Sequence, residues 1–287
     1  KPVNRQARSW ACVRDNVTGL VWENKSEDGL HAGSARYDNL PPGQNGEHLG
    51  DLVARVNQEG LCGFRDWRVP SLMELQSLVN YEIPFPGPTV DQSFFPYTLN
   101  EAHWTASSDS RSTPKTWTVL FTDGSVDSYP PINRYPARLV HGTPETSRHY
   151  LSADGQEVTD ETTGLVWKRC VEGMKWNGAS CTGYPRYFTW YEALQSVVPG
   201  TAGWRVPNVK EMSSLIDPAA TGTLAVNTRL FPGTSNDMFW TSTPYTLDTF
   251  YGWVVQSFYG YAYFTYLEDN AALRLVRDRR SLRANGE

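Results

Sequence analysis

The octapeptide Asp15-Asn16-Val17-Thr18-Gly19-Leu20-Val21-Trp22 returns as Asp160-Glu161-Thr162-Thr163-Gly164-Leu165-Val166-Trp167, displaced by 145 positions. Working outward, Trp67-Arg68-Val69-Pro70 returns as Trp204-Arg205-Val206-Pro207 at a displacement of 137, and Glu74, Ser77 and Leu78 return as Glu211, Ser214 and Leu215. Phe95-Pro96, Trp104-Thr105, Trp117, Gly124 and Arg138-Leu139-Val140 follow at 136 as Phe231-Pro232, Trp240-Thr241, Trp253, Gly260 and Arg274-Leu275-Val276. The order never changes, so one domain is written twice, head to tail. The fall from 145 to 137 points to an insertion in the first copy between Ser26 and Gly46, rich in Gly, Pro, Asn and His and expected to be a surface loop.

Each copy is of ordinary domain size, and the 287 residues hold both. The expected division is a first domain over residues 1–142, a polar, turn-prone linker over 143–149, a second domain over 150–280 and a polar tail over 281–287. Thr-Gly-Leu-Val-Trp reads as a turn entering a strand, and Asp154-Gly155 as a hairpin turn ahead of it in the second copy. Leu49, Leu52, Val53 and Val56 mark an amphipathic helix between His48 and Gly60, matched by residues 189–198. Ser71-x-x-Glu74 and Asn208-x-x-Glu211 are capping boxes that open a second helix in each copy. Strands are expected over residues 104–107, 116–121, 124–129 and 138–140, with equivalents in the second copy. The fold class is therefore α+β: two tandem homologous domains, each an antiparallel sheet with two helices.

Composition narrows the function. Aromatic residues reach 13% against 20% charged, and the formal charge is -5, too balanced for a general nucleic-acid binder. No apolar run is long enough for a membrane-spanning helix. The chain opens at Lys1 without an apolar signal segment, so it is expected to be a processed or truncated product.

The four cysteines divide evenly between the copies. One bridge within each, Cys12 with Cys62 and Cys170 with Cys181, is the expected pairing in an oxidising compartment, with pairing between copies as the alternative. The five histidines lack metal-ligand spacing, and there is no Cys-x-x-Cys, nucleophile elbow, phosphate loop or dinucleotide fingerprint. The reading is non-enzymatic, with no cofactor and no metal; a glycosidase carboxylate pair would leave no local signature and stays open. Arg68 and Arg205, each between a Trp (Trp67, Trp204) and a capped helix, could bind an anionic ligand, but pairing with Glu74 and Glu211 is the preferred reading. Arg138 and Arg274 are read the same way. Asn16-Val17-Thr18 and Asn24-Lys25-Ser26 match the glycosylation sequon and are read as fortuitous.

Ten rings crowd into residues 245–266. A turn near Tyr259-Gly260 would fold this stretch into a hairpin, so some rings must face outward, where they stack on sugars or bury themselves in a neighbouring subunit. Trp253, Tyr259, Tyr261, Tyr263 and Tyr266 are the candidate contacts, Tyr261 and Tyr263 first among them. A thick core is the competing reading. The arms Lys1–Ser9 and Arg277–Glu287 are polar tails that could also add to a neighbour's sheet edge.

Taken in order, Thr-Gly-Leu-Val-Trp, Asp66-Trp67-Arg68-Val69-Pro70 with Glu74-Leu75, Trp104-Thr105-Ala106-Ser107-Ser108 and Ala137-Arg138-Leu139-Val140 resemble the Lcl C-terminal domain family over nearly the whole chain. The resemblance implies a secreted or surface-exposed bacterial protein. It includes the tip of a collagen-like adhesin that binds sulfated glycosaminoglycans, and looks like C-type-lectin-like folds. Copy one has no counterpart near Leu49 of Trp190, copy two has Gly203 where copy one has Asp66, and neither copy has a Glu-Pro-Asn or Trp-Asn-Asp calcium cluster. The expected function is a structural subunit of a filament or pilus-like appendage, or an adhesin, with identical subunits as partners. A glycan-binding adhesin is the alternative, with glycans as the ligand. Neither needs nucleic acid or a transmembrane segment.

Overall fold

A computed structural model describes residues 10–41, 47–109, 114–144, 149–197, 203–218, 220 and 224–279. The chain separates into two compact units, Lys1–Pro144 and Glu145–Glu287. The first carries β1 (Cys12–Arg14), β2 (Val21–Glu23), α1 (Leu49–Glu59), α2 (Leu72–Ser77), β3 (Ala102–Asp109), β4 (Lys115–Leu120), β5 (Val126–Tyr129) and β6 (Val140–His141). In the second, β7 (His149–Leu151), β8 (Glu157–Asp160), β9 (Leu165–Lys168), β10 (Lys175–Trp176), β11 (Cys181–Thr182), β12 (Tyr187–Phe188) and α3 (Trp190–Gln195) come first. They are followed by α4 (Val209–Ser213), β13 (Met238–Pro244), β14 (Tyr251–Gln256), β15 (Ala262–Tyr266), β16 (Ala271–Ala272) and β17 (Val276–Asp278).

Each unit is α+β, but with two main sheets rather than the one expected. Unit one has β1-β2-β6 and β3-β4-β5; unit two has β7-β8-β9-β17 and β12-β16-β13-β14-β15, plus the β10-β11 ribbon. Among the described strands, pairing is antiparallel except for a parallel contact between β13 and β16; isolated parallel bridges join Ser26 to Ala32 and Asp38 to His48. The repeated motif explains the splitting. In both copies the strand after the Thr-Gly turn pairs with the last strand of its unit, Trp22 with Val140 and Trp167 with Val276, while Arg68 and Arg205 bridge to the same Val140 and Val276.

The repeated tryptophans fill the two cores: Trp22, Trp67, Trp104 and Trp117 in the first, Trp167, Trp240 and Trp253 in the second are all buried. Trp104 and Trp240 reach partners for their indole N–H, donating to the carbonyls of Tyr37 and Phe188 at 2.7 Å each. Tyr37 corrects one expectation. It lies inside the supposed surface insertion yet packs in the core against Trp104 and Leu52, because a strand-like pairing with Tyr135 pulls it inward. The end of the chain corrects another: Arg277 lies in β17, buried, with its guanidinium 2.6 Å from Glu157. Arg138 sits in the extended run just before β6 rather than within a strand. Lys1–Ser9 and residues 280–287 fall outside the described residues.

Both capping boxes form. Ser71 and Asn208 accept from the N–H of Glu74 and Glu211 at 3.3 and 2.9 Å, and each glutamate accepts in return from its cap residue's N–H at 2.7 and 2.8 Å. The same carboxylates take both arms of Arg68 (2.7 and 2.6 Å) and of Arg205 (2.7 and 2.7 Å). Each glutamate thus fixes a helix start and a strand bridge at once. The two disulfides, Cys12–Cys62 and Cys170–Cys181, lie within their own units.

The first unit holds a buried polar cluster around Glu23. Burial pushes the Glu23 carboxyl up, but Lys25 Nζ at 3.0 Å, His31 Nδ1 at 2.7 Å and the Leu139 N–H at 2.8 Å outweigh it and hold the group at about 2. His31 also reaches Glu59 on α1, at 3.0 Å. Hydrogen bonding to Glu23 raises the imidazole above its ordinary value. The stability its charged form adds is complete below the ordinary value and is lost as pH rises through the raised one. His103 acts in the opposite sense: burial pushes it down to about 3, so it costs nothing above the ordinary value and destabilises as pH falls towards 3. The protection of amides in the first unit, exchange rates being divided by the intrinsic rate at each pH, should therefore fall on both sides of an optimum. His31→Gln should remove the alkaline limb and keep the acidic one; a variant that tracks the parent across that limb would refute the assignment.

Candidate functional site

Strands β14 and β15 form the hairpin foreseen around Gly260, whose φ of 74° is one that a side chain would strain. Tyr251 pairs with Tyr266, Trp253 with Phe264 and Val255 with Ala262 on one face; Gly252 pairs with Thr265 and Val254 with Tyr263 on the other. Tyr263 is half-buried against the core cluster of Trp240, Val254 and Leu273, and Tyr261 is half-buried as well, so neither ring stands fully outward. Trp253 is 1% exposed and belongs to the interior.

The rings that do reach the surface gather at the two ends of the hairpin. At the open end Tyr251 and Tyr266 lie 4.5 Å apart beside Phe264, on which Tyr245 stacks at 4.0 Å. Tyr266 is 55% exposed and the adjoining Phe250 69%. The hydrogen bond with Tyr266 pushes the Tyr251 phenol up to about 12. At the turn, Tyr259 stacks on Tyr261 at 5.3 Å with an interplanar angle of 14°, and Phe258 meets Tyr259 edge-on. Tyr259 is exposed and Tyr261 half-buried.

The first unit shows what the frame requires. At the displacement of 136, Trp253 corresponds to Trp117, buried in both units. The outer rings correspond to nothing aromatic: Tyr251 to Lys115, Tyr259 to Asp123, Tyr261 to Ser125, Phe264 to Ser128 and Tyr266 to Pro130; the buried Tyr245 beneath them corresponds to the buried Asp109. Where unit two stacks Tyr245 on Phe264, unit one has the Ser128 hydroxyl donating to Asp109 at 2.8 Å. The same hairpin therefore folds without the rings. Tyr245, Phe250, Tyr251 and Phe264 escaped the candidate set chosen from sequence; laying the two copies side by side, ring against polar residue, is the signal that finds all of them but Phe250, whose counterpart is Pro114.

The other candidates are engaged within their own units. Arg205 lines a groove of about 350 Å³ with Leu194, Val197, Val206, Asn208, Glu211 and Ser242, but Glu211 and Asp278 hold its guanidinium. Arg68 is tied to Glu74 and to the Gly142 carbonyl. Trp67 is buried, and Trp204 is half-buried beneath the cations of Lys168 and Arg277. Among the described residues, no group of three or more His, Cys, Asp or Glu side chains converges on a point where a metal could sit, and no helix is long and apolar enough to cross a membrane.

Against known proteins, the family model of the Lcl C-terminal domain matches over residues 11–141 and again over 156–277. No curated protein matches the chain.

Proposed function

The chain belongs to the Lcl C-terminal domain family, with two copies in tandem, and from that premise we propose that it is a non-enzymatic bacterial surface protein that assembles with copies of itself. In this reading it is a subunit of a filament or appendage, or an adhesin, on a C-type-lectin-like frame. The observation that carries the reading is the replacement of Lys115, Asp123, Ser125 and Ser128 of one copy by four rings that reach the surface in the other, Tyr251, Tyr259, Tyr261 and Phe264. Since the frame folds with polar residues at these positions, the rings answer to something outside it. Two disulfides suit an oxidising, extracellular setting. A contact repeated between unlike surfaces, without ring closure, yields a filament.

Light scattering and electron microscopy of the full chain test it. Association that grows with concentration supports the reading, and a strictly monomeric species at the highest attainable concentration overturns it. Glycan binding is the second reading, favoured by the stacked Tyr259 and Tyr261, which offer a flat face of the kind sugars cover. Glycan-array binding that disappears in Tyr259→Ala and Tyr261→Ala would support it, and a silent array would end it.

A further inference from the structure

Strand β15 closes the five-stranded sheet of the second unit and, among the described residues, has a neighbour, β14, on one side only. The ladder fixes which of its backbone groups look outward. Gln256 N–H donates to the Tyr261 carbonyl and Leu267 N–H to the Phe250 carbonyl, so the residues bonded to β14 are Tyr261, Tyr263, Thr265 and Leu267. Ala262, Phe264 and Tyr266 direct their N–H and C=O away from the sheet. Among the described residues, only the Tyr266 carbonyl of this set finds a backbone partner, the N–H of Asp269 at 2.9 Å.

Open edges are ordinarily guarded by charge, proline or a covering segment. The corresponding edge of the first unit is guarded. In β5 the outward N–H of Ser128 is taken by the Asp127 carboxylate at 2.6 Å, and Pro130-Pro131 ends the strand. In β15 the residue in place of Asp127 is Tyr263, no proline follows, and no charged residue occurs between Thr249 and Leu267. The guard has been removed from the edge that gained the rings.

The edge is also complementary to itself. An antiparallel partner centred on Phe264 sets Phe264 opposite its own copy and Ala262 opposite Tyr266, twice. Every outward N–H then meets an outward carbonyl, each Tyr266 faces the smallest side chain of the strand, Ala262, and the two Phe264 rings meet at the axis. Tyr251, Phe264 and Tyr266 would continue unbroken across the junction as one aromatic surface. An unrelated extended peptide could supply the hydrogen bonds but not this matching of large to small.

We propose that β15 pairs antiparallel with β15 of a second copy of this chain about a two-fold axis at Phe264, joining two five-stranded sheets into one. The inference rests on the assembly reading above and names the contact within it. It is closed rather than open, so it makes pairs, and any longer polymer adds a second contact.

Sedimentation of the full chain, combined with amide exchange at low and high concentration, tests it. The expected result is a dimer in which the amides of Ala262, Phe264 and Tyr266 slow with concentration, while those of Tyr263 and Thr265 are slow at every concentration. Tyr266→Lys, at an exposed position that should not disturb folding, places a charge in the strand and should weaken dimerisation by about tenfold or more. Tyr259→Lys, at the turn and outside the paired register, should not. Association that persists in Tyr266→Lys, with no concentration-dependent slowing of those three amides, would overturn the edge pairing and leave the assembly reading intact. A chain that never associates would overturn both.

Discussion

Arg274→Met is expected to lower the stability of the second unit by roughly 3 to 5 kcal/mol and to leave the first unit unchanged. The guanidinium is fully buried. One arm donates to the carbonyls of Lys168 and Arg169, the other to the Thr234 hydroxyl at 2.9 Å, and the plane lies 4.7 Å from the Phe231 ring centre. Burial pushes the group down to about 9, which measures how poorly that interior suits a cation. Buried cations can often be exchanged for apolar side chains when the partner is removed too. Here that remedy is closed, because two of the three acceptors are backbone carbonyls and would be stranded. Arg274→Lys keeps the charge but loses the planar fork, and should fall between the two. Amide exchange resolved by unit would check the result, and a Met variant as stable as the parent would refute this account of the staple.

The equivalent Arg138 donates to the Glu23 carbonyl at 2.6 Å and the Thr98 hydroxyl at 2.7 Å, over Phe95. Carbonyl, threonine and phenylalanine recur in both units, so the two arginines do the same job: they pin the strand after the Thr-Gly turn to the Phe-Pro segment. The Trp-Arg-Val-Pro arginines have a different task, holding a helix start to the same central pairing.

Removing the Cys12–Cys62 bridge by paired serine substitution should cost the first unit about 4 kcal/mol, against roughly 3 for Cys170–Cys181 in the second, because the bridges span 50 and 11 residues of chain and the longer loop frees more unfolded conformations. Denaturant unfolding of each pair of variants, read by exchange in its own unit, gives the comparison. A larger loss in the second unit would show that native contacts around the bridge, and not loop entropy, dominate.

Much of this molecule was legible from local pattern. The duplication, the capping boxes, the Arg68–Glu74 and Arg205–Glu211 pairs and the hairpin at Gly260 all depend on residues near one another in sequence or on matched copies. What could not be read depended on distant partners. Arg277 looks like the start of a charged tail until Glu157, 120 residues earlier, is seen beside it. Tyr37 looks like loop until Tyr135 draws it in. The direction of Tyr263 was hidden for a different reason. Both faces of the β14–β15 hairpin carry large side chains and both are partly covered, so alternation divides the rings into two sets without saying which set meets water. Trp253 was recoverable, since a ring repeated in both copies serves the frame they share.

The placement of Cys12 and Cys62 also governs how a load would travel. A pull applied upstream of Cys12 passes through the sulfurs to Cys62 and bypasses the intervening segment, α1 included, which cannot be drawn out while the bridge is intact. The second unit withholds only the short stretch between Cys170 and Cys181. Under tension in an oxidising medium, the leading unit would therefore yield less slack than the trailing one, and reduction would lengthen it far more.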